Sequence, residues 1–188
     1  MAVVHRTTMN PGKLELVSSW LPAQPWYEGR PGRAPELAKA GGFRLDDPEG
    51  EVGIEFMVLT DTADGVTYHV PLTYRGAPLP GGEAALVGTS EHGVLGTRWI
   101  YDGTRDPVLR GRLHALLRGE AVAQDQNASD APDPTVLVVP GEEAPDLAVI
   151  RVLHPHAPAT PVTTHLTATW RDSAGNPTRA VFAALRTE

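Results

Sequence analysis

The chain has 188 residues, 41% of them apolar and 21% charged, a balance that can build one sizeable core and excludes wholesale disorder. Its net charge of -7 argues against a nucleic-acid binder, which neutralises phosphates with a basic surface, and no basic cluster offsets it. With no cysteine there is no disulfide, thiol nucleophile or thiolate metal site, and no stretch reaches the ~20 apolar residues that span a bilayer.

The first seven residues lack the basic start and apolar run of a secretory leader, so the expected location is the cytoplasm. Residues 2–6 read as a short strand. Residues 12–21 read as a helix, because Leu14, Val17, Trp20 and Leu21 recur at helical spacing before Pro22 and Pro25 end it. Residues 28–41, rich in proline, glycine and charge, read as an exposed loop, and Phe43 opens the sheet. Residues 51–60 alternate, with Ile54, Phe56 and Val58 on one face and Glu55, Met57 and Leu59 on the other. A turn at 61–65 leads into residues 66–75, where Pro71 donates no backbone hydrogen bond and so favours an edge or a bulge. Strands at 84–88 and 94–101 complete an antiparallel meander.

Asp106-Pro107 is a helix start, since the aspartate accepts from an orphan amide and proline pre-sets the first turn. Leu109, Leu113, Leu116 and Leu117 then form one apolar stripe, and Gly119 closes the helix. Residues 120–134, polar and acidic with Pro132 and Pro134, read as a linker. A second strand group follows at 135–139, 147–153, 162–170 and 178–185, with Leu166, Ala168 and Trp170 facing one way and Gly175-Asn176 turning the last hairpin. The expected organisation is therefore an α+β region over 1–119, an acidic linker over 120–134 and an antiparallel β region over 135–188.

Asp102 and Asp106 invite comparison with an acid/base pair, but strand exit and helix cap explain them. His154 and His156 with His165 are weak metal ligands, because Pro155 breaks their strand and no carboxylate stands beside them. Ser90-Glu91-His92 has adjacency without the geometry of a triad. Trp26 and Tyr27, between Pro25 and a glycine-containing loop, can stack on a sugar ring or dock on a protein, and with Arg30, His69 and His92 they form the set of candidate ligand or partner contacts. No catalytic residue, metal or cofactor is expected.

Three segments carry a family resemblance: Leu21-Pro22-Ala23-Gln24-Pro25-Trp26-Tyr27-Glu28-Gly29-Arg30, then His69-Val70-Pro71-Leu72, then Tyr101-Asp102-Gly103-Thr104-Arg105-Asp106-Pro107. Together they resemble the N-terminal cap domain of the maltokinases. The resemblance implies a curved antiparallel sheet packed with one or two helices, followed here by the second antiparallel strand group. Phosphoryl transfer needs a phosphate cradle, a cation on the phosphates, a catalytic Asp and a metal-binding Asp or Asn. Residues 120–188 hold no Walker-type glycine loop, no lysine and no His-x-Asp loop. The expectation is a stand-alone, non-catalytic cap that serves α-glucan, maltose or trehalose metabolism through a glucan- or maltose-metabolising enzyme. Two alternatives stand beside it. One is a module that binds maltooligosaccharide through Trp26 and Tyr27; the other is a small glucan-active enzyme with His69, His92, Asp102 and Asp106 as its candidates. Unpaired strand edges further suggest a homodimer through the second strand group.

Overall fold

The computed structural model describes residues 9–128, 130–154 and 163–187; the expected strand at 2–6 and His156 lie outside them. In chain order the elements are β1 (Met9–Asn10), α1 (Lys13–Trp20), a 3₁₀ turn (Leu21–Ala23), β2 (Leu37–Leu45), β3 (Val52–Asp61) and β4 (Thr67–Arg75). Then come β5 (Leu86–His92), β6 (Gly96–Asp102), α2 (Pro107–Leu117), β7 (Gln124–Asp125), β8 (Leu137–Val139), β9 (Asp146–Val149), β10 (Val152–Leu153), β11 (His165–Arg171) and β12 (Pro177–Arg186). Residues 28–41 are loop only as far as 36, since β2 begins at Leu37.

These strands join one sheet in the order β1-β5-β6-β4-β3-β2-β11-β12-β9, with β10 on β4, β7 on β2 and β8 on β11. The fold is α+β, as expected, but the sheet is large and open where a curved one was anticipated. Its change of direction is concentrated in one place. β11 meets β2 through a single pair, Trp170 with Gly41, next to a register shift between Lys39 and Gly41. Both glycines at this corner sit close to their neighbours: a Cβ on Gly41 would lie a tight 3.2 Å from the Trp170 Cα, and Gly42 is required, with φ +136 and a Cβ position 2.3 Å from the Phe56 carbonyl oxygen.

Residues 146–153 report the consequence. Their first part pairs with β12 and their last two residues pair with β4, while the Ile150 N–H donates to the Phe182 carbonyl and the His69 N–H to the Arg151 carbonyl. In a flat sheet β12 and β4, four places apart, would be separated by about 19 Å. The Phe182 and His69 rings instead lie 4.6 Å apart. The C-terminal strands therefore fold over the face of β3 and β4.

That arrangement leaves β3 dry on both sides. Ile54, Phe56 and Val58 pack with Phe43, Leu109, Leu113, Leu166, Trp170 and Phe182, whereas Met57 and Leu59 pack with Val17, Leu21, Tyr68, Val70 and Leu72. The 120–134 segment contributes Ala123 to the first cluster, pairs β7 with β2, and buries Gln126. In α1, Val17 is buried and Leu14 is exposed; Trp20 is only half-buried, because the helix stops there and the 3₁₀ turn carries Leu21 inward.

Pro71 is not at a sheet edge. Along the outer side of β4, the partner is β10 up to Tyr68, with one more bond from His69, and β6 from Leu72 onward. The proline fills the gap between the two partners, where no donor is needed. At the end of α2, the Glu120 N–H donates to the Ala115 carbonyl and the Gly119 N–H to the Leu116 carbonyl, with Gly119 at φ +73, so the glycine closes the helix as its sequence position indicates. Among the described residues no helix is long and apolar enough to cross a membrane.

The corner yields a direct test. Gly42→Ala forces a side chain into the Phe56 carbonyl at an unfavourable φ, and it should lower the unfolding free energy by about 2 kcal/mol or more in urea denaturation. The same substitution at Gly50, which has positive φ but open space around it, should cost less, about 1 kcal/mol.

Candidate functional site

The loop after α1 is shaped by its prolines. Following the 3₁₀ turn, the Gln24 N–H donates to the Leu21 carbonyl and the Tyr27 N–H to the Gln24 carbonyl, two successive tight turns that lay Trp26 and Tyr27 on the ring of Tyr68. Tyr27 stacks on Tyr68 at 5.7 Å, Trp26 tilts against it at 6.1 Å, and Trp20 meets Trp26 edge-on at 5.8 Å. Tyr68 is fully buried, which pushes its phenol up to about 12, and its hydroxyl accepts from the Glu28 N–H at 3.2 Å. Gly29 leaves room for the Tyr27 ring: a Cβ there would lie 2.0 Å from the Tyr27 hydroxyl oxygen, so a larger residue has to displace that side chain.

Arg30-Pro31-Gly32-Arg33 forms the next turn, with the Arg33 N–H donating to the Arg30 carbonyl at 3.3 Å and Gly32 at φ +77. Proline followed by a positive-φ glycine is the type II pattern, which keeps residues at its two ends within ~7 Å. Each arginine is held by a carboxylate: Arg30 Nε lies 2.8 Å from Asp64 Oδ1, a contact of charge rather than aligned hydrogen bonding, and Arg33 Nη2 lies 2.6 Å from Glu36 Oε1. Tyr27, Arg30, Arg33, Pro22 and Gly29 line a groove of about 430 Å³. It offers an aromatic ring, two guanidinium groups and neighbouring carboxylates, a mixture suited to a polar ligand with an apolar face.

The structure brings only Tyr27 and Arg30 of the expected contacts into this groove. Trp26 sits beside it with its ring engaged: Arg151 Cζ lies 4.2 Å from the ring centre. Arg151 in turn donates from Nη1 and Nη2 to the two oxygens of Asp102, each at 3.0 Å, with both side chains nearly buried. His69 has no exposed surface. Its Nδ1 lies 2.8 Å from the Ile150 carbonyl, its ring packs on Phe56 and Phe182, and its Nε2 has no partner. His92 closes the β5–β6 hairpin, its Nδ1 accepting from the Val94 and Leu95 N–H groups at 3.3 and 3.1 Å.

The two aspartates are structural. Asp102 accepts from the Thr104 N–H at 3.1 Å, and Asp106 from the Val108 N–H at 2.9 Å as the cap of α2. Asp106 also receives Arg75 Nε at 2.7 Å, Arg75 Nη2 at 2.8 Å and the Thr73 hydroxyl at 2.8 Å. Burial alone would raise its carboxyl; the bonds from Arg75, Thr73 and Val108 hold it below the usual range. Neither aspartate nor either histidine of the enzyme alternative lines the groove. His154 is exposed, His165 is buried with Nδ1 2.9 Å from the Thr163 carbonyl, and among the described residues no group of three or more His, Cys, Asp or Glu is placed to hold a metal.

Sequence reasoning missed a buried polar cluster. Glu55 on β3 is 5% exposed and accepts from Lys13 Nζ at 2.6 Å, the Tyr74 hydroxyl at 2.6 Å and Gln126 Nε2 at 2.9 Å. Burial would raise its pKa, yet the lysine charge and the three donors bring it below the usual value. A lone charge inside an otherwise apolar strand was the available signal, and Arg151, alone in the run from Leu147 to Leu153, carried the same one.

Residues 20–106, from Trp20 to Asp106, match the family model of the maltokinase N-terminal cap domain. No solved structure matches the chain.

Two outcomes follow from these environments. Burial, the main cause, and the Arg151 charge together press His69 down to about 3, although its bond to Ile150 resists, so the folded state stays unprotonated where the unfolded chain, at ~6.5, already binds a proton. Its contribution is thus complete above pH ~6.5 and should decline by up to ~1.4 kcal/mol per pH unit as the pH falls towards about 3, while the His69 ring resonances show no titration near pH 6.5 in NMR. Asp106→Asn should cost about 3 kcal/mol in chemical denaturation, since it leaves the buried face of Arg75 without its counter-charge.

Proposed function

We propose that this chain, a maltokinase-type cap, is a non-catalytic accessory of α-glucan, maltose or trehalose metabolism that works in the cytoplasm by docking on a glucan- or maltose-metabolising enzyme. The observation that supports this reading is how the cap is completed. Its β3–β4 face is covered by the chain's own C-terminal strands, with Leu166, Trp170 and Phe182 packed on Phe43 and Phe56, so β11 and β12 serve the cap's core. The sequence beyond residue 120 adds no lysine, no Walker-type loop and no His-x-Asp loop for phosphate chemistry. The exposed edge at β8, with Leu137 and Val139 turned outward, suits a homodimer as part of the same proposal.

Two measurements test it. Mixed with ATP, Mg²⁺ and maltose, the purified chain should form no maltose phosphate. Added to purified enzymes that make, phosphorylate or polymerise maltose units, it should change the kcat or KM of one of them and co-sediment with it. Unchanged kinetics across that set, with no complex in sedimentation velocity, would sink the accessory reading.

A second reading rests on the groove, where Tyr27 is stiffened by Tyr68 and the Arg30 and Arg33 ion pairs present donors and acceptors together. Such a site fits a maltooligosaccharide, whose ring has one apolar face and an equatorial fringe of hydroxyls. Titration with maltose, maltotriose and trehalose should change the intrinsic fluorescence, and Tyr27→Ala should weaken the response at least ~10-fold, about 1.4 kcal/mol. Flat calorimetric and fluorescence titrations would remove this reading and leave the accessory one untouched.

A further inference from the structure

The charges of this chain are unevenly placed. Residues 105–118 carry four arginines, Arg105, Arg110, Arg112 and Arg118, against one carboxylate, Asp106, which is buried and bound to Arg75. From residue 119 to residue 150 there follow seven carboxylates and not one lysine, arginine or histidine. On α2, Arg110, His114 and Arg118 recur every four positions and share a side of the helix, while Leu109, Leu113 and Leu116 are buried on the other. Burial first, then the charges of Arg110 and Arg118, hold the His114 imidazole below its usual value, so these cations sense one another. Gly111, exposed beside them, has nothing within 4 Å of its Cβ position, which lets a partner approach the helix closely.

The two patches complement each other but scarcely meet within one molecule. Arg118 pairs with Glu120, whereas Arg110 and Arg112 give single hydrogen bonds to the Thr104 and Asp46 carbonyls. Among the described residues, none of Arg105, Arg110, Arg112, Glu142, Glu143 and Asp146 enters an ion pair. Glu142 and Glu143 are exposed just beyond β8, whose described strand partner is β11 and whose Leu137 and Val139 are 48% and 37% exposed.

We propose that the arginine side of α2 docks on a second copy of this chain, against the acidic margin that runs past β8 from Asp133 to Asp146. The inference rests on the homodimer reading of the β8 edge and names what covers that edge. Each chain carries both patches, so a twofold axis makes the same contact twice and satisfies two sets of charges at once. A helix laid over an exposed strand also shields its unpaired backbone groups, and here it covers Leu137 and Val139 as well. Pairing β8 antiparallel with itself about Val138 would instead bring Asp133 of one copy towards Glu143 of the other, like charge against like. The overall charge of -7 repels at long range, but salt near 0.1 M screens it beyond ~10 Å, which leaves the contact of the two patches to decide.

Sedimentation velocity of the full chain tests this. In about 100 mM NaCl the chain should dimerise, and about 500 mM NaCl should weaken the dimer at least ~10-fold. Arg105→Glu with Arg110→Glu should weaken it by a similar factor, and so should Glu142→Arg with Glu143→Arg; none of the four side chains is buried, so the fold tolerates both changes. Mixed in equal amounts, the two double variants should recover a dimer close to the parent in strength, because both contacts of the mixed pair again join opposite charges. A chain that stays monomeric overturns this inference and the homodimer reading together. A dimer indifferent to salt and to the α2 reversal, or a mixture that recovers nothing, overturns this inference and leaves the homodimer reading standing.

Discussion

A strand with no wet face imposes the constraint on which the rest of this structure depends. Of the ten residues of β3, only Gly53 is exposed. Every polar group on that strand must therefore find a partner inside the protein, because an unpaired buried charge or hydroxyl costs several kcal/mol. Glu55 gathers Lys13, Tyr74 and Gln126; the Thr60 and Thr67 hydroxyls meet at 3.0 Å; Asp61 Oδ1 accepts from the Glu36 and Ala63 N–H groups. These partners come from α1, β4, the 120–134 segment and the loop before β2. With Ala63 in the turn after β3, the polar demands of one strand thus fix the places of five stretches of chain.

The same logic explains why the cap sequence and the C-terminal half cohere. Arg151 could not be buried without Asp102, and the pair in turn rests on Trp26, so a charge from the C-terminal half completes the aromatic group at the start of the cap. The groove lies next to that assembly and shares Tyr27 with it through the Tyr68 stack. Its shape is set by Pro31, by Gly32 at positive φ, and by Gly29, against which the Tyr27 ring packs. Whatever contacts the groove meets a surface that is already ordered, which lowers the entropic cost of binding.

Much of this was legible from residues whose signals are local. The cap of α2 follows from Asp106-Pro107, its end from Gly119, and the β11–β12 hairpin from Asp172 and Gly175, because caps and turns are decided within a few positions. The alternation of β3 was also visible, but not that both faces are dry, since burial depends on strands more than a hundred residues away. Pro71 was read as an edge signal for the same reason: the gap between β10 and β6 exists only once the C-terminal strands have folded back. In the candidate site, Tyr27 was singled out as an aromatic between Pro25 and a glycine-containing loop, and it lines the groove together with Arg30. His69 was misplaced among surface contacts because sequence alone does not say which face of β4 is covered by Phe182.

The run from 146 to 153, bonded at one end to β12 and at the other to β4, also bears on how the molecule is made. A chain emerging from the ribosome presents the cap segment long before residues 146–186 exist, and until then one face of its sheet lacks Trp170, Phe182 and the closing strands. Contacts of such high sequence separation form slowly and late. Until β11 and β12 are in place, the apolar face of β2 and β3 has no cover, and exposed apolar surface of that kind is what makes partly folded chains prone to aggregate.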